Sequence, residues 1–307
     1  VIERIKITDR DQWLAMRGRD VTASVIGCLL GVHEYQTAYG LWALKSGAIA
    51  ADPEETGPMR RGRLLEPVAI QLLREERPTW KFQEPGVYLR DTEARIGATP
   101  DLFAYDPERG PGLVQIKTIE PSVFSRKWRD PETKEISPPL WIAVQGIIEA
   151  HLAGVEWVDV APMRVGFGLD IELVPVPIHK GIIERAYEVV GEFWQMIAEG
   201  RKPAPDYGRD GEIIARLFEE DHGTEIDLSR DNRVPELLAE RATLKTSIGV
   251  NDDRVDEIDN EVKAKLGSHA AGRLANGKYI TWKTQHRKAY SVEPKSFRTL
   301  RYPKDAT

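Results

Sequence analysis

Between Gly97 and Lys117 the sequence places three polar residues with types and spacing suited to metal-assisted chemistry. Asp101 closes the segment Gly97-Ala98-Thr99-Pro100-Asp101, and Gln115 and Lys117 fall within Leu113-Val114-Gln115-Ile116-Lys117. Side chains alternate along a strand, so Gln115 and Lys117 share one face while Val114 and Ile116 take the other. A two-stranded hairpin would gather these residues around a divalent ion and an attacking water. Carboxylate and amide oxygens hold a hard cation, and an ammonium lowers the cost of forming hydroxide or an oxyanion. Phosphodiester hydrolysis is the reaction that such a set suits. Taken alone, the same residues also fit a solvated edge strand and a turn after proline. The remaining sequence therefore carries weight.

The chain has 307 residues, 41% of them hydrophobic, and can bury a large core in one major domain with an appendage. It contains no run of eighteen apolar residues and no basic-then-apolar leader, which predicts a soluble, cytoplasmic protein without a membrane partner. One cysteine, Cys28, excludes a disulfide framework, a zinc knuckle or an iron–sulfur cluster built from the chain's own thiolates. Lying in an apolar run, it reads as a small buried hydrophobe. The net charge of −6 argues against a surface coated in positive charge, but not against a narrow basic channel. Basic residues concentrate at Arg60, Arg61 and Arg63, at Arg126, Lys127 and Arg129, and across 278–304. The last segment carries Lys283, Arg287 and Lys288 beside Trp282, a composition for phosphate contact and stacking or for packing the appendage.

Helices are predicted near 9–17 and 22–30, then around Arg60–Leu73, 138–153 and 179–199; strands are predicted at 86–90, 94–98, 101–105, 112–118, 155–162 and 171–176. Pro67 leaves the boundary of the third helix open. This order predicts an α/β or α+β core over 1–205, ended by the linker Arg201-Lys202-Pro203-Ala204-Pro205. Residues 206–307 would form an appendage. There, apolar positions from Leu237 to Ile248 and from Val255 to Leu266 predict a helical hairpin broken at Gly249-Val250-Asn251-Asp252, followed by a strand-like Tyr279–Trp282 and a basic tail.

With these residues in view, the chain resembles the YqaJ-like viral recombinase family, relatives of phage lambda exonuclease in the PD-(D/E)xK nuclease superfamily. The resemblance rests on Trp13, Arg17, Val21-Thr22-Ala23-Ser24, Gly62 with Glu66, Gly97 to Asp101, Gln115-x-Lys117, and Gln145 followed by Gly154, in that order. It covers roughly residues 10–200. It implies a restriction-endonuclease-like core with a central mixed sheet flanked by helices. The implied activity is a magnesium-dependent DNA exonuclease, with Mn²⁺ as a substitute, working 5′ to 3′ from the ends of linear duplex DNA in a bacterial or phage-infected cell. By motif, Glu66, Asp101, Gln115 and the Ile116 carbonyl would hold the metal, Lys117 would polarise the water, and Gln145 would orient phosphate or a metal ligand. Arg17 and Ser24 would receive the terminal 5′-phosphate. Trp13 is a candidate wedge, with Arg60, Arg61, Arg63, Arg126, Lys127, Lys283, Arg287 and Lys288 as candidate DNA contacts.

One position departs from the family pattern. Gln115 stands where Asp or Glu is usual, and an amide oxygen brings no negative charge. A natural variant and a weakened enzyme that still binds DNA ends both follow from that change, and a structure-specific endonuclease is a further alternative. The resemblance also allows a ring-shaped homo-oligomer and a single-strand annealing partner.

Overall fold

A computed structural model describes residues 1–50, 55–285 and 298–301. Within them the chain divides into two compact units, Val1–Leu217 and Phe218–Thr307.

The first unit contains two sheets. A six-stranded mixed sheet has the order β10-β8-β7-β6-β3 with β9 paired to β8: β3 is Lys81–Gln83, β6 Leu102–Asp106, β7 Gly110–Ile119, β8 Val158–Val165, β9 Leu169–Ile171 and β10 Val174–Val176. β6 and β7 form an antiparallel hairpin with Leu102 opposite Val114, whereas β7 runs parallel to β8 with Gln115 opposite Val160. Arg109 at the hairpin turn clamps the pair, reaching Asp106 at 2.7 Å and the buried Asp159 of β8 at 2.7 Å. The second sheet joins β1 (Ile2–Lys6), β4 (Val87–Asp91), β5 (Ile96–Ala98) and the two-residue β2 (Val21–Thr22). Gly97 of β5 is fixed by packing: a Cβ there would lie 1.8 Å from Tyr88 Oη, which crosses the strand to donate to buried Asp20 at 3.2 Å.

Helices cover both faces of the mixed sheet. On one side, α4 (Gly57–Glu76) buries Ala69, Ile70 and Leu73 against Leu102, Val114, Ile116 and Met163. Thr56 caps it, and it runs straight through Pro67, which removes one main-chain hydrogen bond within an otherwise regular helix. On the other side lies α6 (Leu140–Ala153), buried over most of its circumference against Leu113, Val158 and Val160. Such an all-round apolar helix belongs in a core. It stops at Gly154, whose φ of +71° lets the last carbonyls find partners. Around this layer pack α1 (Arg10–Arg19), α2 (Ala23–Ile26), α3 (Ala38–Lys45), α5 (Pro121–Lys127), α7 (Lys180–Ala198) and α8 (Gly211–Leu217).

The mixed sheet between helices matches the restriction-endonuclease-like class expected. The linker at 201–205 does not coincide with the division between units. Residues 206–217 pack on the core instead: Thr37 donates to Asp210, and Arg216 donates to the Ala50 carbonyl at 2.7 Å. β1, β3, α3, α5 and α8 escaped the sequence reading, the helix predicted near 22–30 is helical only over Ala23–Ile26, and the predicted 171–176 strand is two strands, β9 and β10.

In the second unit the expected helical hairpin is instead one helix, α9 (Arg233–Leu266), followed by β11 (Ala271–Arg273) and β12 (Tyr279–Thr281) as an antiparallel pair. Gly249-Val250-Asn251-Asp252 are weak helix formers but not a break: none supplies proline's missing N–H, and Asp253 to Glu261 continue the helix. A Cβ at Gly249 meets open space. Gly249→Ala should therefore stabilise α9 by about 0.5–1 kcal/mol. Thermal loss of the helical circular-dichroism signal checks this, and a loss of stability would mean that the chain turns there.

Candidate active site

β6 begins just after Pro100-Asp101, and beyond Val114 the β7 strand is no longer covered by it. Proline has no N–H to offer that edge. The Asp101 carboxylate takes the vacant strand position: Oδ2 accepts from the Ile116 amide at 2.8 Å and from Gln115 Nε2. The N–H and C=O of one strand residue point the same way, so the Ile116 carbonyl faces this gap too. Gln115 is buried, and its Oε1 has no hydrogen-bond partner.

Lys117, two residues on, shares the face of Gln115 and donates to Gln145 Oε1 at 3.1 Å. The Gln145 amide nitrogen in turn donates to Glu149 Oε1, one helical turn along α6, at 2.8 Å. From the opposite side, Glu66 continues the buried stripe of α4, three and four residues before Ala69 and Ile70. The structure therefore gathers Asp101, Gln115, Lys117 and Gln145 by direct contact, with Glu66 in electrostatic range of Asp101 and Lys117.

Three carboxyls here resist ionisation. Burial, then repulsion from Asp101, raises Glu66 to about 7. Burial likewise raises Asp101, opposed by Lys117 and by the Ile116 and Gln115 donors. Glu149, fully enclosed in the core, is raised to about 8 by burial and then by Asp101. Glu149 was not singled out from sequence. Its i,i+4 spacing from Gln145 on an apolar helix was the available signal.

The donor set fits a hard divalent cation. Two carboxylates held close against their mutual repulsion, a buried amide oxygen without a partner and a backbone carbonyl at a strand gap are all oxygen ligands of the kind Mg²⁺ takes. Among the described residues no group of three or more His, Cys, Asp or Glu side chains forms a metal cluster, in keeping with Gln115 replacing an acid.

A second cluster lies at the C-terminal end of α1. Trp13 Nε1 donates to Thr99 Oγ1 at 3.0 Å, tying α1 to the segment before Asp101, and the Arg17 guanidinium sits 4.5 Å above the Trp13 ring. Arg17 also donates to Ser24 Oγ at 3.4 Å, forms no ion pair among the described residues, and has its pKa lowered by burial. Lys45 donates to the Arg17 carbonyl; burial, then the neighbouring Arg17 charge, pushes it down to about 8. Trp13 thus packs as a support beneath Arg17.

Residues 12–153 match the family model described as the YqaJ-like viral recombinase domain. Over those residues the chain is YqaJ-like. It is 23% identical over 272 residues to the uncharacterized protein YqaJ of Bacillus subtilis (strain 168), covering 87% of this chain and 81% of that protein. Among solved structures it is similar to an alkaline exonuclease, LHK-Exo, from Laribacter hongkongensis, at 20% identity and a TM-score of 0.47, covering 62% of this chain and 94% of that one. A SOX–DNA complex gives 12% identity and a TM-score of 0.40, covering 66% of this chain and 71% of that one.

The basic candidates of this YqaJ-like chain do not converge to the same degree. Arg63 forms a two-pronged pair with Glu55 at 2.8 Å, Arg61 lies 3.5 Å from Glu120, and Lys127 pairs with Glu34. Arg60 and Arg126 are exposed without an ion pair among the described residues. Lys283 is exposed in the second unit, while Arg287 and Lys288 lie outside the described residues.

Raised carboxyl pKa values have a consequence for stability. An acid whose folded pKa exceeds its unfolded value near 4.5 is harmless below that pH and weakens the fold as pH rises through the folded value. Glu149→Gln should leave stability almost unchanged at pH 5 and raise it by about 1–3 kcal/mol at pH 9. Denaturant unfolding of metal-free protein at both values checks this; an equal effect at both would remove the buried charge as its cause.

Proposed function

We propose that this protein is a Mg²⁺-dependent deoxyribonuclease that hydrolyses phosphodiester bonds from the ends of linear duplex DNA, 5′ to 3′, with Mn²⁺ able to substitute. The observation that carries the reading is the buried, unpartnered Gln115 Oε1 beside two carboxyls held against their mutual repulsion. A cation would relieve both costs. The YqaJ-like stretch, similar through its family to the PD-(D/E)xK nuclease superfamily, supports the same reading.

Glu66, Asp101, Gln115 and the Ile116 carbonyl would hold the metal, which supplies charge neutralisation at the scissile phosphate and a more acidic water. Lys117, fixed by Gln145, donates a hydrogen bond to the attacking water and opposes the negative charge that builds on the phosphoryl oxygens. Gln145 is itself oriented by its bond to Glu149, so its carbonyl end stays on Lys117. Arg17 and Ser24 would take the terminal phosphate: a half-buried guanidinium without an ion-paired carboxylate among the described residues gains from an anion.

Gln115 also favours a second reading, a DNA-end-binding protein with weakened chemistry, because the set lacks one negative charge. End-labelled linear DNA and sealed circles, incubated with Mg²⁺, Mn²⁺ or neither, separate the readings. The expected result is metal-dependent release of nucleotides from linear DNA only. Rates on a 5′-phosphorylated end should exceed those on a 5′-hydroxyl end, and Arg17→Ala should abolish the difference. Binding without hydrolysis in either metal would favour the second reading, and cutting of circles an endonuclease.

A further inference from the structure

A rigidly presented, exposed aromatic lies next to the candidate active site and has no part in the chemistry above. Tyr35 is 73% exposed, unusual for a large aromatic in an ordered loop. The loop is braced from below. His33 Nδ1 accepts from the Tyr35 and Gln36 amides at 3.1 and 2.9 Å, which leaves Nε2 as the donor to the Ser24 carbonyl at 3.1 Å. Arg209 donates to three carbonyls of the same loop, those of His33, Glu34 and Gln36, at 2.8, 2.9 and 3.3 Å. Backbone this heavily fixed holds Tyr35 in one place at little further entropic cost on binding.

The surroundings point to the ligand. Trp141 lies edge-on to Tyr35 with ring centroids 6.0 Å apart, and His33 lies 4.6 Å from Trp141 and 6.4 Å from Tyr35, so the three rings form one cluster. Trp141 precedes Gln145 by four residues of α6, so the aromatic group stands about 6 Å along the helix from the residue that holds Lys117. Two ammonium groups flank it: Lys117 Nζ is 5.9 Å from the Trp141 ring, and Lys127 Nζ, paired with Glu34, is 5.5 Å from the Tyr35 ring. Through Ser24, the same loop reaches the Arg17 cluster. An aromatic face rimmed by cations, one nucleotide's reach from a phosphate-handling site, matches an unpaired nucleobase with its phosphate attached.

We infer that Tyr35, backed by Trp141 and His33, is a stacking platform for an unpaired base at the end of the DNA strand whose phosphate enters the candidate active site. The inference rests on the nuclease reading and adds to it a residue that separates the terminal base from its pair. Stacking tolerates any base, so the platform confers preference for a frayed or unpaired end without sequence readout.

The test uses the full chain in EDTA with 5′-phosphorylated duplexes carrying 2-aminopurine either at the end or in the interior, with binding followed separately by anisotropy. The expected result is quenching of the terminal fluorophore alone, retained in Tyr35→Phe and lost in Tyr35→Ala. The alanine variant should also bind DNA ends roughly tenfold more weakly. Being exposed, Tyr35 can be replaced with an unchanged thermal unfolding curve, which is checked in parallel. Normal binding and metal-dependent hydrolysis with no terminal quenching, or with quenching unchanged in Tyr35→Ala, overturns the platform and leaves the nuclease reading intact. Absence of DNA binding by the unmodified protein overturns both.

Discussion

Because β6 begins only at Leu102, the Ile116 amide of β7 would be left without a strand partner, and the Asp101 carboxylate supplies one at 2.8 Å. That single bond ties a side chain of the strand start to the backbone of the neighbouring strand and holds the carboxylate in a buried place, where burial resists its ionisation and the bond itself opposes that resistance. Everything else at the site answers to it. Gln115 gives its amide nitrogen to the same oxygen, which leaves its carbonyl end buried and unpaired. Glu66 and Glu149, on helices from opposite faces of the sheet, both feel the Asp101 charge and both resist ionisation.

The protein therefore carries uncompensated polar groups in a part of the core where a stable fold alone would place apolar ones. Isolated buried charges cost far more than paired ones, and groups of one sign raise each other's cost. The positive counterpart is Arg17 with Lys45, two half-buried cations side by side against a helix end and without an ion-paired carboxylate among the described residues. Lys117 opposes the charge of the acidic cluster and Glu149 favours that of Arg17, but burial outweighs both. A metal and a terminal phosphate would stabilise the charged forms that burial disfavours, and local instability kept at a binding site is a common arrangement.

Much of the site was legible in the sequence because strand alternation is strict. Once Leu113 to Lys117 is read as a strand after Asp101, Gln115 and Lys117 must share a face. The helix 138–153 was equally clear from its apolar run, and Gln145 came with it. Glu149 was hidden by the same run: a glutamate on an apolar helix reads as its solvent edge, and only the sheet packed against it shows that no such edge exists. Pro67 obscured α4 because local proline chemistry argues for a start, while burial of Ala69, Ile70 and Leu73 carries the helix through. In the second unit the error ran the other way. Weak helix formers at 249–252 suggested a turn, yet the residues on either side favour helix strongly enough to continue. The loop at 33–36 had no sequence signature, since its order comes from Arg209, over 170 residues away.

Calorimetric titration of the metal-free protein with Mn²⁺ at pH 7, repeated in buffers of different ionisation enthalpy, tests the central claim most directly. A carboxyl raised by burial to about 7, as Glu66 is, must release its proton when it takes up a cation. The expected result is binding accompanied by net proton release, with affinity lost in Asp101→Asn and strengthened in Gln115→Glu. Binding without proton release, or an affinity unchanged by both substitutions, would contradict it.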